Sequence, residues 1–160
     1  MVEVRALGPD DRALVVGLLR TRWGSERMVA NDAVFRPADH PGFLATMEAE
    51  PAGVLTYRID GDQCEVTLLD TLEERQGVGT ALLSAVARVA KAAGCSRLWL
   101  VTTNDNLHAL RFYQRRGFRL DALRPGAIDR ARRELKPEIS LVGLEGIPIH
   151  DELELERWLE

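Results

Sequence analysis

The segment NDNLHALRFYQRRGF, residues 104–118, contains polar and aromatic residues that a helix does not need for packing. Tyr113 has a phenol that can donate a proton, and Asn106 has an amide that can cap a helix or bind a ligand. Packing needs only apolar residues such as Ala109 and Leu110. The regular spacing of these residues therefore raises the question of whether this helix carries chemistry. A half-buried core aromatic is the alternative for Tyr113.

A second segment, LLDTLEERQGVGTALL, joins a strand to a long helix through Gly77 and Gly79. Glycines let the backbone approach a ligand, and the free N–H groups of a first helical turn attract anions. We expect a phosphate or pyrophosphate here, although glycines that only shape a turn give the same pattern. A dinucleotide fold needs a third glycine where Leu82 stands, and a P-loop NTPase needs Gly-Lys-Ser/Thr. The remaining candidate ligand is an acyl carrier cofactor whose pyrophosphate binds at this turn.

The whole chain has the composition of one soluble domain, residues 1–160, with 46% hydrophobic and 29% charged residues. A net charge of −4 argues against nucleic acid as a partner. The charged start MVEVRALGPDD resembles neither a signal peptide nor a membrane anchor, so we expect a cytoplasmic protein. Cys64 and Cys95 stand far apart, which predicts two buried thiols without a disulfide or a metal site.

The elements that must position these residues alternate between strands and helices. VEVRAL predicts a strand, and Asp10 or Asp11 then caps a helix, followed by an irregular or helical stretch over residues 24–41. GFLATMEA, GVLTYRI and QCEVTLLD predict an antiparallel meander with turns at residues 50–53 and 60–61. A long helix follows and ends at Gly94.

The second half continues with the strand RLWLVTT, a helix that Gly117 ends, and the strand FRLDAL. The order β-α-β-α-β implies a right-handed crossover and a partly parallel sheet. Residues 124–150 form an excursion with a short helix near residues 127–135, and DELELERWL predicts a last strand with one acidic face. Exposed edges of such an open sheet are compatible with a homodimer.

The two segments together resemble the GNAT superfamily of acetyl-CoA-dependent N-acetyltransferases. Residues 104–118 match the family pattern Asn-x-x-Ala-x-x-x-Tyr-x-x-x-Gly-Phe, and residues 74–79 resemble its phosphate loop, Arg/Gln-x-x-Gly-x-Gly/Ala. The first position of that loop is Glu74 here, with an arginine only at Arg75. The resemblance covers residues 63–123. It implies an α/β (α+β) fold with a mixed, mostly antiparallel twisted sheet of about seven strands flanked by helices.

The resemblance also implies roles for individual residues, with acetyl-CoA as the acetyl donor and no metal. Tyr113 resembles the acid that protonates the departing thiolate, and pantetheine pairs with the backbone near Leu68 and Leu69. A backbone N–H near Leu69 then stabilises the charge that develops on the thioester carbonyl. The remaining cofactor-binding residues are Arg75, Gln76, Gly77, Val78, Gly79, Thr80 and Asn106.

The acceptor amine must lose a proton before it attacks, because an alkylammonium ion is not a nucleophile. Candidates for the base are Glu65, Asp70 or a chain of water molecules. Glu65 is expected to share a strand face with Thr67 and Leu69, which points it toward the cleft, although an exposed strand glutamate is the common alternative.

Three features outside the motifs bear on the acceptor, for which a small-molecule amine is expected ahead of a protein amine. Arg22 and Trp23 are candidates for a pocket, although Trp23 fits a core position equally well. The other two features oppose each other in charge, so they leave the charge of the acceptor open. One is a basic patch (Arg124, Arg130, Arg132, Arg133, Lys136) and the other is an acidic set on the last strand (Glu152, Glu154, Glu156). A non-catalytic acyl-CoA-binding domain is the alternative function.

Overall fold

The computed structural model of the protein describes residues 1–72 and 77–160. Within them the chain forms nine strands and four α-helices, and its contacts divide it into two compact units. The first unit contains residues 1–27, 36–98 and 158–160, and the second contains residues 28–35 and 99–157. The expectation of one domain over the whole chain stays a prediction.

The first unit is built on an antiparallel ladder in the order β1-β4-β5-β6. Its strands are β1 (Val2–Ala6), β4 (Gly42–Met47), β5 (Glu50–Asp60) and β6 (Gln63–Thr71). The predicted meander is thereby confirmed, with Gly61 at φ 62° in the tight β5–β6 turn.

Two helices belong to the first unit, α1 (Arg12–Arg22) and α2 (Val78–Ala92). The predicted start of α1 is confirmed, with Asp11 at its N-cap position. A side chain at Gly53 of β5 would collide with Val78 and Leu82 of α2, so α2 packs closely on the sheet face that Gly53 occupies. The apolar face of α2 is buried there, which accounts for the periodicity of its sequence.

The second unit contains strands in the order β7-β9-β8, together with the hairpin β2–β3. Its elements are β2 (Met28–Ala30), β3 (Ala33–Phe35), α3 (Leu107–Gln114), β8 (Arg119–Arg124), α4 (Ala127–Glu134) and β9 (Glu152–Trp158). Strand β7 (Arg97–Thr103) begins in the first unit and continues into the second. The short helix predicted near residue 127 is confirmed as α4.

The expected fold class is confirmed, since the protein has a seven-stranded mixed sheet and four α-helices. Two local expectations are wrong. Residues 28–35 form a hairpin rather than an irregular or helical stretch, and the β4–β5 turn lies at Glu48 and Ala49 rather than at residues 50–53. The last strand is confirmed as β9, although Glu152 on its acidic face is buried.

Both cysteines are buried free thiols, as expected, and burial raises the pKa of Cys64 to about 12. Across residues 1–72 and 77–160, no helix is long and apolar enough to span a membrane. The same ranges contain no cluster of three or more His, Cys, Asp or Glu side chains suited to a metal ion.

Candidate active site

Strand β6 leads to the predicted phosphate loop and carries a β-bulge at Thr67. Thr56 of β5 faces Leu68, whereas the next residue of β5, Tyr57, faces Val66, so Thr67 is the extra residue. A bulge leaves the extra residue without a partner in the ladder and turns the strand locally. The bulge therefore stands directly beside Leu68 and Leu69, the residues expected along the cofactor.

Helix α2 begins at a turn that is suited to an anion. Gly77 occupies its N-cap with φ 95°, a left-handed conformation that favours glycine. Among the described residues, the first helical bond runs from the Ala81 N–H to the Gly77 carbonyl at 2.9 Å. Side chains of the described residues do not cap this end, and the first turn carries no acidic residue. The helix dipole thus gives the start of α2 a positive potential that suits an anion.

The expected phosphate-binding residues lie partly within this turn. Val78 and Gly79 are buried, whereas Gly77 and Thr80 are exposed. The predictions for Glu74, Arg75 and Gln76 fall outside the described residues.

Helix α3 begins differently, because Asn106 caps it. The Asn106 Oδ1 atom accepts a hydrogen bond from the Ala109 N–H at 3.1 Å. This is the N-cap arrangement expected of asparagine, and it uses the carbonyl oxygen of the side chain while the amide NH₂ keeps its donor capacity. His108, the next polar residue on α3, is exposed as expected for a solvated side chain.

Tyr113 is buried near the end of α3, with 8% of its surface exposed. Its ring contacts Phe112 and Phe118 edge to face, at centroid distances of 5.2 and 5.4 Å. Gly117, at φ 90°, ends this segment, and the Phe118 N–H donates to the Tyr113 carbonyl at 3.1 Å. Burial raises the pKa of the Tyr113 phenol, which therefore stays protonated at physiological pH.

The Glu65 carboxylate is buried and ion-paired rather than exposed. It lies 4% exposed, and its Oε1 accepts a bond from Arg58 Nε at 2.8 Å. The register places Glu65 opposite Arg58 but Leu69 opposite Leu55, and these two β5 residues point to opposite faces. The expectation that Glu65 and Leu69 share a face is therefore wrong, because the bulge at Thr67 reverses the alternation.

Asp70 is also buried, and its carboxylate connects β6 to the end of α1. Its two oxygens accept bonds from Arg22 Nε at 3.1 and 2.8 Å and one from Trp23 Nε1 at 2.9 Å. Trp23 remains 43% exposed, so it is not a core residue. These three hydrogen bonds from two donor groups make Asp70 an anchor between β6 and the end of α1.

A polar chain in the first unit was missed by the sequence reasoning. His40 Nδ1 lies 2.9 Å from Thr67 Oγ1, which lies 2.7 Å from Thr56 Oγ1. Thr56 is fully buried and Thr67 is 7% exposed. His40 stands in a proline-containing loop that carries no recognisable motif, so the only available signal was two threonines on strands expected to pair.

The basic patch and the acidic strand, which are rival binding features in the sequence, are joined in the second unit through Arg124. Arg124 donates to Glu152 at 2.5 Å and to Glu154 at 3.1 Å. Arg130 pairs with Asp32 of the β2–β3 hairpin. Arg132 donates to the backbone carbonyls of Ile139, Ser140 and Ile149. These arginines therefore have structural partners.

The start of the segment 104–118 holds the excursion in place. The Asn104 Oδ1 atom accepts bonds from the N–H groups of His150 and Asp151 at 2.9 and 3.0 Å, and Asp105 accepts one from the Leu144 N–H at 2.9 Å. Asn104 and Asp105 thus have an anchoring role that the motif does not include.

Comparison with known proteins identifies the family. The family model described as Acetyltransferase (GNAT) family matches residues 14–118. The uncharacterized protein YdhI of Bacillus subtilis (strain 168) is 47% identical over 132 residues, which is 82% of each chain.

Solved structures share the fold at low sequence identity. The IAA acetyltransferase from Bacillus cereus ATCC 14579 has a TM-score of 0.75 at 19% identity, over 99% of this chain and all of that one. A Bacillus subtilis acetyltransferase solved in complex with CoA has a TM-score of 0.72 at 21% identity, over 99% of this chain and 98% of that one. The family model and the relative of 47% identity show that the chain belongs to the GNAT family of acetyltransferases.

Proposed function

We propose that the protein transfers the acetyl group of acetyl-CoA to a primary amine of a small molecule, by direct attack of the amine. The observation that carries this proposal is the start of α2, where Gly77 adopts a left-handed conformation and, among the described residues, no side chain caps the helix and no acidic residue lies in its first turn. The CoA in the related Bacillus subtilis structure supports the same donor class. The net charge of −4 is compatible with a cationic acceptor.

Residues of the first unit bind the donor in this proposal. The N–H groups at residues 78–80 hold the pyrophosphate, and the backbone at Leu68 and Leu69 pairs with pantetheine beside the bulge. Arg75 and Gln76 are proposed to contribute from the loop before Gly77. Acetyl-CoA supplies an acetyl group activated as a thioester. A backbone N–H near Leu69 then stabilises the charge that develops on the carbonyl oxygen.

Tyr113 acts as the general acid in this proposal, and Asn106 is a further cofactor-binding residue. The burial that raises the pKa of Tyr113 keeps its hydroxyl hydrogen in place until it is needed. A phenol is a weaker acid than a thiol, whose ordinary pKa is about 8.5, so the proton moves only as negative charge builds on the sulfur. In this proposal Tyr113 therefore first donates a hydrogen bond to the sulfur and transfers its proton only when negative charge has built up there.

The two tyrosines of the chain allow a matched test of this role. Tyr113→Phe keeps the ring contacts with Phe112 and Phe118 but removes the proton, so we expect kcat to fall about 100-fold. Tyr57→Phe is the control, because Tyr57 stacks on Phe43 at a centroid distance of 5.8 Å and has no proposed role. The assay measures thiol release from acetyl-CoA in the presence of a panel of primary amines.

Three outcomes separate the alternatives. Acetyl-CoA affinity within threefold of wild type for Tyr113→Phe, together with the loss of kcat, supports the acid role. An unchanged kcat on a found acceptor would refute it. Calorimetric binding of acetyl-CoA by the wild type without turnover on any amine would favour a non-catalytic acyl-CoA-binding protein.

A further inference from the structure

Helix α1 carries a groove along one side that contains none of the residues proposed to bind the donor. The groove has a volume of about 400 Å³. Small-molecule sites span roughly 300–1,000 Å³, so it is large enough for a small ligand. Its walls are apolar or small, and all of them belong to the first unit: Ala13, Leu14, Gly17, Leu18, Thr21 and Leu72. Arg22 lines the groove at the end of α1.

The middle of the groove is open at Gly17. Apart from its own helical turn, a Cβ atom at Gly17 would meet no atom of the described residues within 4 Å. Glycine in a helix interior lowers stability relative to alanine. Gly17 therefore weakens α1 slightly and leaves the groove unobstructed.

Arg22 brings a positive charge to the groove, and its guanidinium is held in a fixed orientation. Its Nε donates to the two Asp70 carboxylate oxygens at 3.1 and 2.8 Å, and its Nη2 lies 3.4 Å from the Thr71 carbonyl oxygen. Asp70 is buried, whereas 47% of the Arg22 side chain is exposed. Nη1 has no partner among the described residues, so the guanidinium keeps donors for a ligand.

The carboxylate that holds Arg22 lies on the sheet face opposite α2. Gly53 of β5 points toward α2 and faces Thr71 in the ladder. The preceding residue of β6, Asp70, therefore points to the other face by strand alternation. The pyrophosphate is proposed to bind at the start of α2, on the face that Gly53 occupies. Arg22 is accordingly assigned to a different anion.

We propose that the groove binds the acceptor, and that this acceptor is an α-amino acid with an apolar side chain whose carboxylate is bound by Arg22. This inference rests on the proposed function and names the class of its amine. A planar guanidinium matches a carboxylate, and the apolar walls match the side chain. Transfer forms a bond between the amine nitrogen and the acetyl carbon, breaks the carbon–sulfur bond and moves one amine hydrogen, in net terms, to the thiol.

The partners of Arg22 connect the groove to the proposed place of transfer. Asp70 and Thr71 directly follow Leu69, near which a backbone N–H is proposed to stabilise the thioester carbonyl. Two residues of a strand span about 7 Å. A short separation between carboxylate and amine fits this distance, and in an α-amino acid a single carbon carries both groups.

The charge of Asp70 orients Arg22 without excluding a second carboxylate. Asp70 also accepts a bond from Trp23 Nε1 at 2.9 Å, so its charge is shared between two donor groups. The bond to Asp70 uses Nε, and a ligand would use Nη1 on the exposed part of the guanidinium. A side chain that is already oriented loses less entropy when the ligand binds.

Leucine and leucinamide test the assignment of Arg22, because they share the apolar body and the α-amine but only leucine has a carboxylate. With full-length wild type and acetyl-CoA, we expect kcat/KM for leucine to exceed that for leucinamide about 20-fold. Arg22→Gln should raise the KM for leucine by about the same factor with little change in kcat, because the lost contact serves binding alone. The KM for leucinamide and the Kd for acetyl-CoA should stay within about threefold of wild type. Phenylalanine and its amide repeat the comparison with an aromatic side chain.

Arg20→Gln is the matched control for this variant. Arg20 is an exposed arginine of the same helix, is paired with Glu26 at 2.6 Å and lies outside the described lining of the groove. It should keep the wild-type preference for the amino acids. A folded Arg22→Gln with an unchanged preference, or a wild type that acetylates the amides as well as the amino acids, would overturn the role of Arg22.

Gly17→Leu tests the groove and leaves the bonds of Asp70 intact. The leucine side chain would fill the groove, and leucine is a better helix former than glycine. We expect Tm to hold or rise, while free leucine binds to the CoA-saturated variant at least about tenfold more weakly by calorimetry. Unchanged affinity for leucine would show that the groove is not the acceptor site.

The same assays separate this inference from the proposed function. A wild type that acetylates primary amines without a carboxylate in preference to the amino acids would overturn the inference and leave the proposed function standing. A wild type that binds acetyl-CoA but acetylates no amine would refute the proposed function, and the inference with it.

Discussion

Helices α2 and α3 begin in opposite ways. Gly77 starts α2 and has no side chain, whereas Asn106 starts α3 and bonds the Ala109 N–H with its own oxygen. Both ends present N–H groups that the helix itself cannot satisfy. At α3 the Asn106 side chain satisfies one of them, whereas no side chain of the described residues caps the start of α2. This difference is why we propose the start of α2, and not that of α3, as the anion site.

The start of α1 supports the same distinction. Asp11 lies at its N-cap position, and the Asp11 carboxylate accepts bonds from the Gly8 N–H at 2.7 Å and from Arg5. A negative charge near a helix start offsets the dipole. The Asp11 carboxylate thus supplies the compensating charge near the start of α1, whereas for α2 we expect that charge to come from CoA.

The largest expected effect comes from placing a carboxylate at the start of α2. Thr80→Glu adds a charge in the first turn of α2, where Thr80 is exposed. A carboxylate there should stabilise the helix by about 0.3–1 kcal/mol but repel the pyrophosphate. We expect Tm to hold or rise while the Kd for acetyl-CoA, measured by calorimetry, weakens at least tenfold.

Thr80→Gln is the control for size, and it should keep an acetyl-CoA affinity within about threefold of wild type. A Thr80→Glu variant with unaltered affinity would show that the start of α2 does not hold the pyrophosphate. Opposite changes in Tm and in affinity are the specific result, because general damage to the fold would lower both.

A smaller effect is expected at the start of α3, which Asn106 caps. Asn106→Ala removes the cap of α3 and should lower the free energy of unfolding by about 1 kcal/mol, measured by urea denaturation. Asn106→Ser keeps an oxygen that can cap and should restore most of that loss.

The serine variant also tests the cofactor role of Asn106. If its stability is restored while acetyl-CoA still binds more weakly than to wild type, the amide NH₂ contacts the cofactor in addition to capping. Full recovery of both quantities would leave Asn106 as a cap alone and would remove it from the cofactor-binding residues.

Much of the fold was predictable because its signals are local. The spacing of apolar residues predicts helix α2, and Gly117 predicts where the helix before it ends. The β2–β3 hairpin was missed although Asn31 and Asp32, both at positive φ, are of residue types that tolerate the conformation of a two-residue hairpin turn. The turn at Glu48 and Ala49 has no such signal, because these residues rarely adopt positive φ.

The candidate site was predictable only where a motif or a helix start defines it. The bulge at Thr67 shifts the register by one residue, and a one-residue shift moves the following side chains to the other face. The face of Glu65 was therefore misassigned. The contact between His40 and Thr67 depends on a loop crossing a strand distant in sequence, which no local pattern specifies.

The smallest expected effect is at Asp11, and its pH dependence separates it from the others. The Arg5 hydrogen bond, the Gly8 N–H and the Arg5 charge lower the pKa of Asp11 to about 2 in the folded protein. The stabilisation is therefore present above the unfolded pKa of about 3.9 and is lost as pH falls from there toward 2.

Because Arg5 is largely exposed, Asp11→Asn should lower Tm by only a few degrees at pH 7. That difference from wild type should disappear near pH 2, whereas the Asn106→Ala difference, which involves no titrating group, should persist over the pH range in which both proteins stay folded. A difference for Asp11→Asn that did not change with pH would mean that its charge contributes nothing at the start of α1.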